Sequence, residues 1–100
     1  MNIVKKQEGS ELLFELEGSI DSSTAPLLDK AINESIKDAK SLTLDFKGID
    51  YISSAGLRVL LVAFNTMNKQ EGKMVVRHPN SNVMDIFTMT GFDGILVIEN

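Results

Sequence analysis

The chain of 100 residues has no cysteine and only one histidine, and these shortages exclude several kinds of site. Without cysteine there is no disulfide framework, no thiolate nucleophile and no thiolate metal ligand. Because His78 is the one histidine and there is no cysteine, no ligand spacing typical of a metal site occurs either. The lack of cysteine agrees with a reducing compartment, and we expect a cytoplasmic protein.

Long apolar runs and clusters of positive charge are also missing. The longest uninterrupted apolar run extends only from Val59 to Phe64, whereas a membrane-crossing helix needs roughly 20 such residues. The two lysines near the start precede no apolar segment of the kind found in signal peptides. The net charge is −4 and the basic residues are scattered, which disfavours contact with nucleic acid. We expect neither membrane insertion nor nucleic-acid binding.

No group of residues typical of an enzyme active site is present. The glycine-rich sequences G-x-x-x-x-G-K-[ST] and G-x-G-x-x-G, which cradle phosphates, do not occur. Asp45 ends a predicted strand, as the phosphorylated aspartate of a receiver domain does, but the acidic pair that would hold a metal there has no counterpart. We therefore expect a protein that is not an enzyme and that needs no cofactor or metal.

The hydrophobic pattern predicts one domain over residues 1–100. Short segments of alternating or continuous apolar residues, bounded by turn residues, predict strands over 2–7, 11–17, 42–46, 74–76 and 95–98. Apolar residues at helical spacing predict helices over 24–38 and 53–70, and a third from the loop at 78–81 to about Thr90. The order β-β-α-β-α-β-α-β predicts an α/β fold with a mixed, mainly parallel sheet of about five strands. The pattern leaves open whether the helices cover one face of the sheet or both.

The start of the second predicted helix, from Ser53 and Ser54 onwards, carries the most information. Serines commonly cap helices, and capping alone explains tandem serines at such a position. The first backbone N–H groups of a helix also lack partners, and the helix dipole is positive there. A phosphate adds a charge of roughly −1.5 to −2, which a helix start accepts. Ser54 is therefore a candidate phosphorylation site whose charge changes binding without unfolding the domain.

The same helix predicts two faces. The face assigned to the core consists of Leu57, Leu60, Leu61, Phe64 and Met67. Opposite this face lie Ala55, Val59, Val62 and Thr66, with Arg58 and Lys69 at the margin. Apolar residues that face away from the core predict a partner-binding strip. Alternatively, these residues pack against another helix of the same domain.

Several segments resemble one known family. The sequence ISSAGLRVL at 52–60, preceded by the strand LTLDF at 42–46, resembles the signature of STAS domains, specifically stand-alone bacterial anti-sigma factor antagonists. Residues 18–27, 72–76 and 87–92 resemble further family segments in the same order. The resemblance covers nearly the whole chain and implies a single STAS domain.

The resemblance implies a mechanism called partner switching. The unphosphorylated domain would bind an anti-sigma factor that is also a serine kinase and so release the sigma factor. The kinase would phosphorylate the serine two places before a glycine, and a serine phosphatase would reverse the reaction. Here that serine is Ser54, because Ala55 and Gly56 follow it. Ser53, which stands where the family often has aspartate, is the alternative site.

The resemblance also implies a partner surface around Ser54. Asp21 matches a family aspartate near the phosphorylation site, although it could instead cap the first helix. The predicted partner contacts are Asp21, Ser22, Ser53, Ser54, Ala55, Arg58, Val59 and Val62. A monomer is the simplest expectation. The second hypothesis is a STAS accessory subunit that regulates a transporter or a larger signalling complex, and the third is an enzyme or a sensor of a small ligand.

Overall fold

Five strands and three α-helices follow one another in the predicted order in the computed structural model, which describes residues 1–100. The strands are β1 Asn2–Glu8, β2 Glu11–Ile20, β3 Ser41–Ile52, β4 Lys73–Arg77 and β5 Val97–Glu99. The helices are α1 Ala25–Asn33, α2 Ser54–Lys69 and α3 Ser81–Thr90, and a short 3-10 helix spans Phe92–Gly94. The predicted α/β fold is confirmed.

The sheet has the strand order β1-β2-β3-β4-β5. β1 and β2 form an antiparallel hairpin through a turn at Gly9, whose φ of 60° suits glycine. The pairs β2–β3, β3–β4 and β4–β5 are all parallel, because a helix carries the chain back between them. The predicted mixed, mainly parallel sheet is therefore correct.

Only one face of the sheet is covered. Phe14, Leu44 and Val76 lie side by side in the register and are almost completely buried. Their neighbours Leu13 and Thr43, which point to the other face, are only half-buried. The helices pack on the buried face, where the rings of Phe46 in β3 and Phe87 in α3 have centroids 6.2 Å apart. This settles the question that the hydrophobic pattern left open.

The first helix is shorter than the predicted 24–38, since α1 ends at Asn33. Ile36 and Ala39 are still buried, but they lie in turns that follow the helix. Asp38 has a φ of 66°, which no helix can continue through, and the side-chain amide of Gln70 donates to the carbonyls of Ile36 and Ala39 at 3.1 and 2.9 Å. The apolar spacing persists past the helix end because the turns also face the core.

The third strand is longer than the predicted 42–46, because β3 continues through the segment taken for a connection. Two irregularities in its pairing with β2, each adding a residue to β3, hide the alternation of apolar residues after Phe46. At the first irregularity the backbones approach so closely that a Cβ on Gly48 would lie 2.8 Å from the carbonyl oxygen of Leu16. Both strands therefore reach the same end point, with Ile20 of β2 paired to Ile52 of β3.

Candidate functional site

Two loops meet at the carboxyl ends of β2 and β3. The strands are parallel neighbours, so the chain leaves both of them at the same edge of the sheet. The backbone N–H of Ser53 donates to the carbonyl of Ile20 at 2.8 Å, which ties the start of α2 to the loop that carries Asp21. Residues far apart in sequence are thereby fixed next to one another.

Gly56 allows α2 to sit directly on these strand ends. A Cβ at this position would lie 2.6 Å from Cγ2 of Ile20 and 2.7 Å from Cγ1 of Ile52, closer than packed carbon atoms tolerate. The glycine of the Ser-Ala-Gly segment is therefore required by close approach. Gly56 thereby sets the distance between the first turn of α2 and the strand ends, and with it the position of Ser54.

The two serines at the start of α2 have different roles. Ser53 is the N-cap in an extended conformation, and its half-buried hydroxyl accepts from the N–H of Gly56 at 3.3 Å. Ser54 is the first helical residue, is exposed, and its hydroxyl makes no hydrogen bond within the chain. The N–H groups of Ser54 and Ala55 have no acceptor in the chain either. The hydroxyl of Ser54 is the one available for chemistry.

Asp21 organises the turn that leads into α1. Its Oδ1 accepts from the Ser23 hydroxyl at 2.7 Å and from the N–H groups of Ser23 and Thr24 at 2.9 and 3.0 Å. These hydrogen bonds hold the pKa of the Asp21 carboxyl below its ordinary value, and the bond from the Ser23 side chain has the largest effect. Thr24, the N-cap of α1, in turn donates its hydroxyl to the carbonyl of Ser19 at 2.7 Å. Asp21 therefore does not cap α1, as the alternative reading had it: it orders the turn just before the helix, where Thr24 is the N-cap.

A groove of about 520 Å³ lies between α1 and α2, and Ser54 is one of the residues that line it. Its walls include six of the eight predicted contact residues: Ser22, Ser54, Ala55, Arg58, Val59 and Val62. The other two, Asp21 and Ser53, do not line the groove but directly precede Ser22 and Ser54 in the chain. The structure therefore brings the predicted contact residues together at one place.

The exposure expected for Val59 is wrong, and the alternative, packing against another helix of the domain, is confirmed for this residue. This side chain is only 9% exposed because α1 packs beside α2 and covers it, whereas Val62 is 47% exposed. Leu61 and Phe64, assigned to the core, are only half-buried. The buried stripe of α2 is accordingly rotated toward α1, and Val59 forms the inner wall of the groove.

The opposite wall of the groove was not predicted. Pro26, Asp29 and Asn33 line it from α1. Their spacing of three and then four residues places them on one face of that helix, and this signal was readable in the sequence. Two further exposed side chains, Leu27 of α1 at 54% and Tyr51 near the end of β3 at 49%, do not line the groove.

The charges around Ser54 are sparse and mostly unpaired. Arg58 lies one helical turn beyond Ser54, is exposed and takes part in neither ion pair of the structure. Asp29 lines the facing wall of the groove. No cluster of three acidic or histidine side chains that could hold a metal ion exists in the structure, and no helix is both long and apolar enough to cross a membrane.

A model of the family described as "STAS domain" matches residues 2–100. The chain belongs to the STAS family. BtrV of Bordetella bronchiseptica is 31% identical to it over 86 residues, which is 85% of this chain and 74% of that protein. The anti-sigma-B factor antagonist of Bacillus subtilis is 26% identical over 99 residues, which is 99% of this chain and 91% of that protein.

Solved structures agree with this STAS assignment at the level of the fold. The anti-sigma factor antagonist SpoIIAA in its unphosphorylated form superimposes with a TM-score of 0.84 at 15% identity, over 99% of this chain and 89% of that one. The phosphorylated form of Bacillus SpoIIAA gives a TM-score of 0.77 at 14% identity, over 99% and 91%. The resemblance to STAS domains read from the sequence is thus confirmed.

Proposed function

We propose that this STAS domain is an anti-sigma factor antagonist controlled by phosphorylation of Ser54. In its unphosphorylated form it binds an anti-sigma factor that is also a serine kinase, and the sigma factor is released. The kinase transfers a phosphoryl group from ATP to the Ser54 hydroxyl, and a serine phosphatase removes it again. The observation that carries the proposal is the exposed, unbonded hydroxyl of Ser54, which lines the α1–α2 groove.

The surface around Ser54 suits a protein partner. Val62 offers exposed apolar area on α2, in the wall of the groove. The second carboxylate oxygen of Asp21 accepts no hydrogen bond within the chain, so it is free to accept one from a partner. Apolar area beside a few polar groups of fixed geometry is typical of specific protein interfaces. The relatives named as anti-sigma factor antagonists support this choice of partner.

Phosphorylation has opposite effects on the stability of this chain and on its binding to the partner. Within the chain, the phosphate meets two free N–H groups and the positive end of the helix dipole, which favour it by about 0.3–1 kcal/mol. Across a closed interface, the same dianion has to be desolvated, at a cost of several kcal/mol. Since about 1.4 kcal/mol corresponds to a tenfold change in affinity, the partner dissociates while the domain stays folded.

The local geometry favours Ser54 over Ser53 as the modified residue. A phosphate on Ser53 would remove the N-cap bond to Gly56 and place a dianion on a half-buried side chain. A phosphate on Ser54 breaks no hydrogen bond. We therefore retain Ser54 as the phosphorylation site and assign Ser53 to the cap.

Phosphorylation by the cognate kinase tests the proposal. The chain is incubated with the kinase and ATP, and the modified residue is located by peptide mass spectrometry in wild type, Ser53→Ala and Ser54→Ala. We expect one phosphate on Ser54 in wild type and in Ser53→Ala, and none in Ser54→Ala. Phosphate on another residue of the wild type, or none at all, would contradict the proposal.

A further inference from the structure

The relation between Ser54 and Arg58 points to a part of the switch beyond the phosphorylated residue itself. The two residues are four positions apart on α2, so their side chains leave the helix on the same side, one above the other. Both are exposed and both line the α1–α2 groove. We propose that Arg58 is the intramolecular partner of the phosphate on Ser54. This inference rests on the proposed phosphorylation of Ser54.

Arg58 is free to take this role. It forms no ion pair, although Asp29 lies on the facing wall of the groove and Asp21 precedes α1 at the same end of the domain. Neither carboxylate holds the guanidinium in the unmodified chain. A phosphate on Ser54 would add the strongest negative charge in this region, and it would do so within one helical turn of Arg58.

The chemistry of the pair is favourable. A guanidinium is always charged and presents N–H groups in a planar fork that matches two phosphate oxygens. The free N–H groups of Ser54 and Ala55 contribute further donors on the helix side. Arg58 interacts more strongly with the dianion than with the monoanion, so it lowers the second pKa of the phosphate, which is ordinarily about 6.

The pairing has a consequence for release of the partner. In the unmodified chain Arg58 points into the groove region and is available to an incoming protein. In the phosphorylated chain it is held by the phosphate. Modification then adds a charge that the partner has to desolvate and also removes a donor that the partner could use. The switch acts through two side chains rather than one.

The pairing is tested on the full chain with phosphoserine placed at position 54 during biosynthesis, so that neither kinase nor partner is needed. The second pKa of the phosphate is measured by a ³¹P NMR titration in wild type, Arg58→Gln and Arg58→Lys. An ion pair at this spacing on a helix corresponds to a shift of about 0.3 unit. We expect Arg58→Gln to raise the pKa by that amount and Arg58→Lys to keep more than half of the effect. Both changes concern an exposed side chain, and the circular dichroism spectrum verifies the fold.

Lys69→Gln serves as the matched control, because it removes an exposed positive charge from the last turn of the same helix. Fifteen residues along a helix are about 22 Å, well beyond the Debye length at physiological salt. We expect no shift from this change. Equal pKa values in wild type and Arg58→Gln, or an equal rise in Lys69→Gln, would overturn the inference. Such a result leaves the proposed function standing, whereas failure of the kinase to modify Ser54 removes that function without affecting this titration.

Discussion

Gly56 approaches Ile20 so closely that a Cβ on the glycine would lie 2.6 Å from Cγ2 of the isoleucine. Glycine inside a helix normally costs about 1 kcal/mol relative to alanine. Here it is the residue that lets α2 rest on the ends of β2 and β3. The contact therefore couples the packing of the core to the position of Ser54, which lies two residues before Gly56 in the first turn of the helix.

The first prediction concerns this contact. Gly56→Ala should destabilise the domain by about 1–3 kcal/mol despite the better helix propensity of alanine, because the new methyl group overlaps two isoleucines. The free energy of unfolding in urea measures this effect. Gly94→Ala is the control, since a Cβ there meets nothing within 4 Å. Equal stability of Gly56→Ala and wild type would show that the helix can move away from the strands.

The second prediction separates the two serines. Ser53→Ala should lower the free energy of unfolding by about 1 kcal/mol, because it removes the N-cap bond to Gly56. Ser54→Ala should leave it within about 0.5 kcal/mol of wild type, since the Ser54 hydroxyl bonds to nothing in the chain. Urea unfolding of the two variants side by side checks this. If Ser54→Ala lowered the free energy of unfolding more than Ser53→Ala, Ser54 rather than Ser53 would be the capping residue.

The third prediction is a pH dependence due to Asp21. Hydrogen bonds from Ser23 and Thr24 favour the ionised carboxylate, so its pKa is lower in the folded state than its ordinary value of 3.8. Its contribution to stability is therefore present above pH 3.8 and is lost as the pH falls through the folded-state pKa. We expect Asp21→Asn to lower the Tm near pH 7, and the difference from wild type to shrink steadily below pH 3.8.

Thermal unfolding between pH 2 and pH 7 measures this difference. Asp50→Asn is a suitable companion variant, because it also removes one negative charge, but from an exposed residue whose carboxylate accepts no hydrogen bond in the structure. A difference for Asp21→Asn that grew toward acid pH would contradict the assigned hydrogen bonds.

The fold was largely readable from the sequence because its elements are short and strongly patterned. Phe14, Leu44 and Val76 belong to segments whose apolar residues identified the strands. That only one face of the sheet is covered became known from the structure, where these three side chains are buried and their neighbours are more exposed. The element order and the mixed sheet followed from the same pattern. The end of β3 did not, because the pairing irregularities between Asp45 and Ile52 break the period of two.

The candidate site was predicted less completely, for a related reason. The ISSAGLRVL segment pointed to Ser54, but a helical wheel treats α2 as packed on a flat sheet from one side. In the structure α1 covers a second side, so Val59 is buried and Val62 is not. Which faces of two helices meet is a tertiary fact. The spacing of Pro26, Asp29 and Asn33 puts them on one face of α1, but only the structure shows that this face meets α2.

The fourth prediction uses this difference between the two valines. Val62→Glu should weaken binding to the anti-sigma factor at least tenfold while the domain keeps its stability, because the exposed side chain lies in the proposed interface. Val59→Glu should instead unfold the domain, since it buries a charge without a partner. Isothermal titration and thermal unfolding measure the two effects. A large loss of Tm in Val62→Glu would assign that residue to the core.

The affinity of the anti-sigma factor for the chain with phosphoserine at position 54, compared with the unmodified chain, tests the account most directly. Titration calorimetry gives both dissociation constants, and thermal unfolding of the same samples reports on the fold. We expect the phosphate to weaken binding by at least about 100-fold, equivalent to about 2.7 kcal/mol, with a Tm no lower than that of the unmodified chain. Equal affinities, or a phosphorylated chain that has lost its fold, would contradict a switch based on charge at the start of α2.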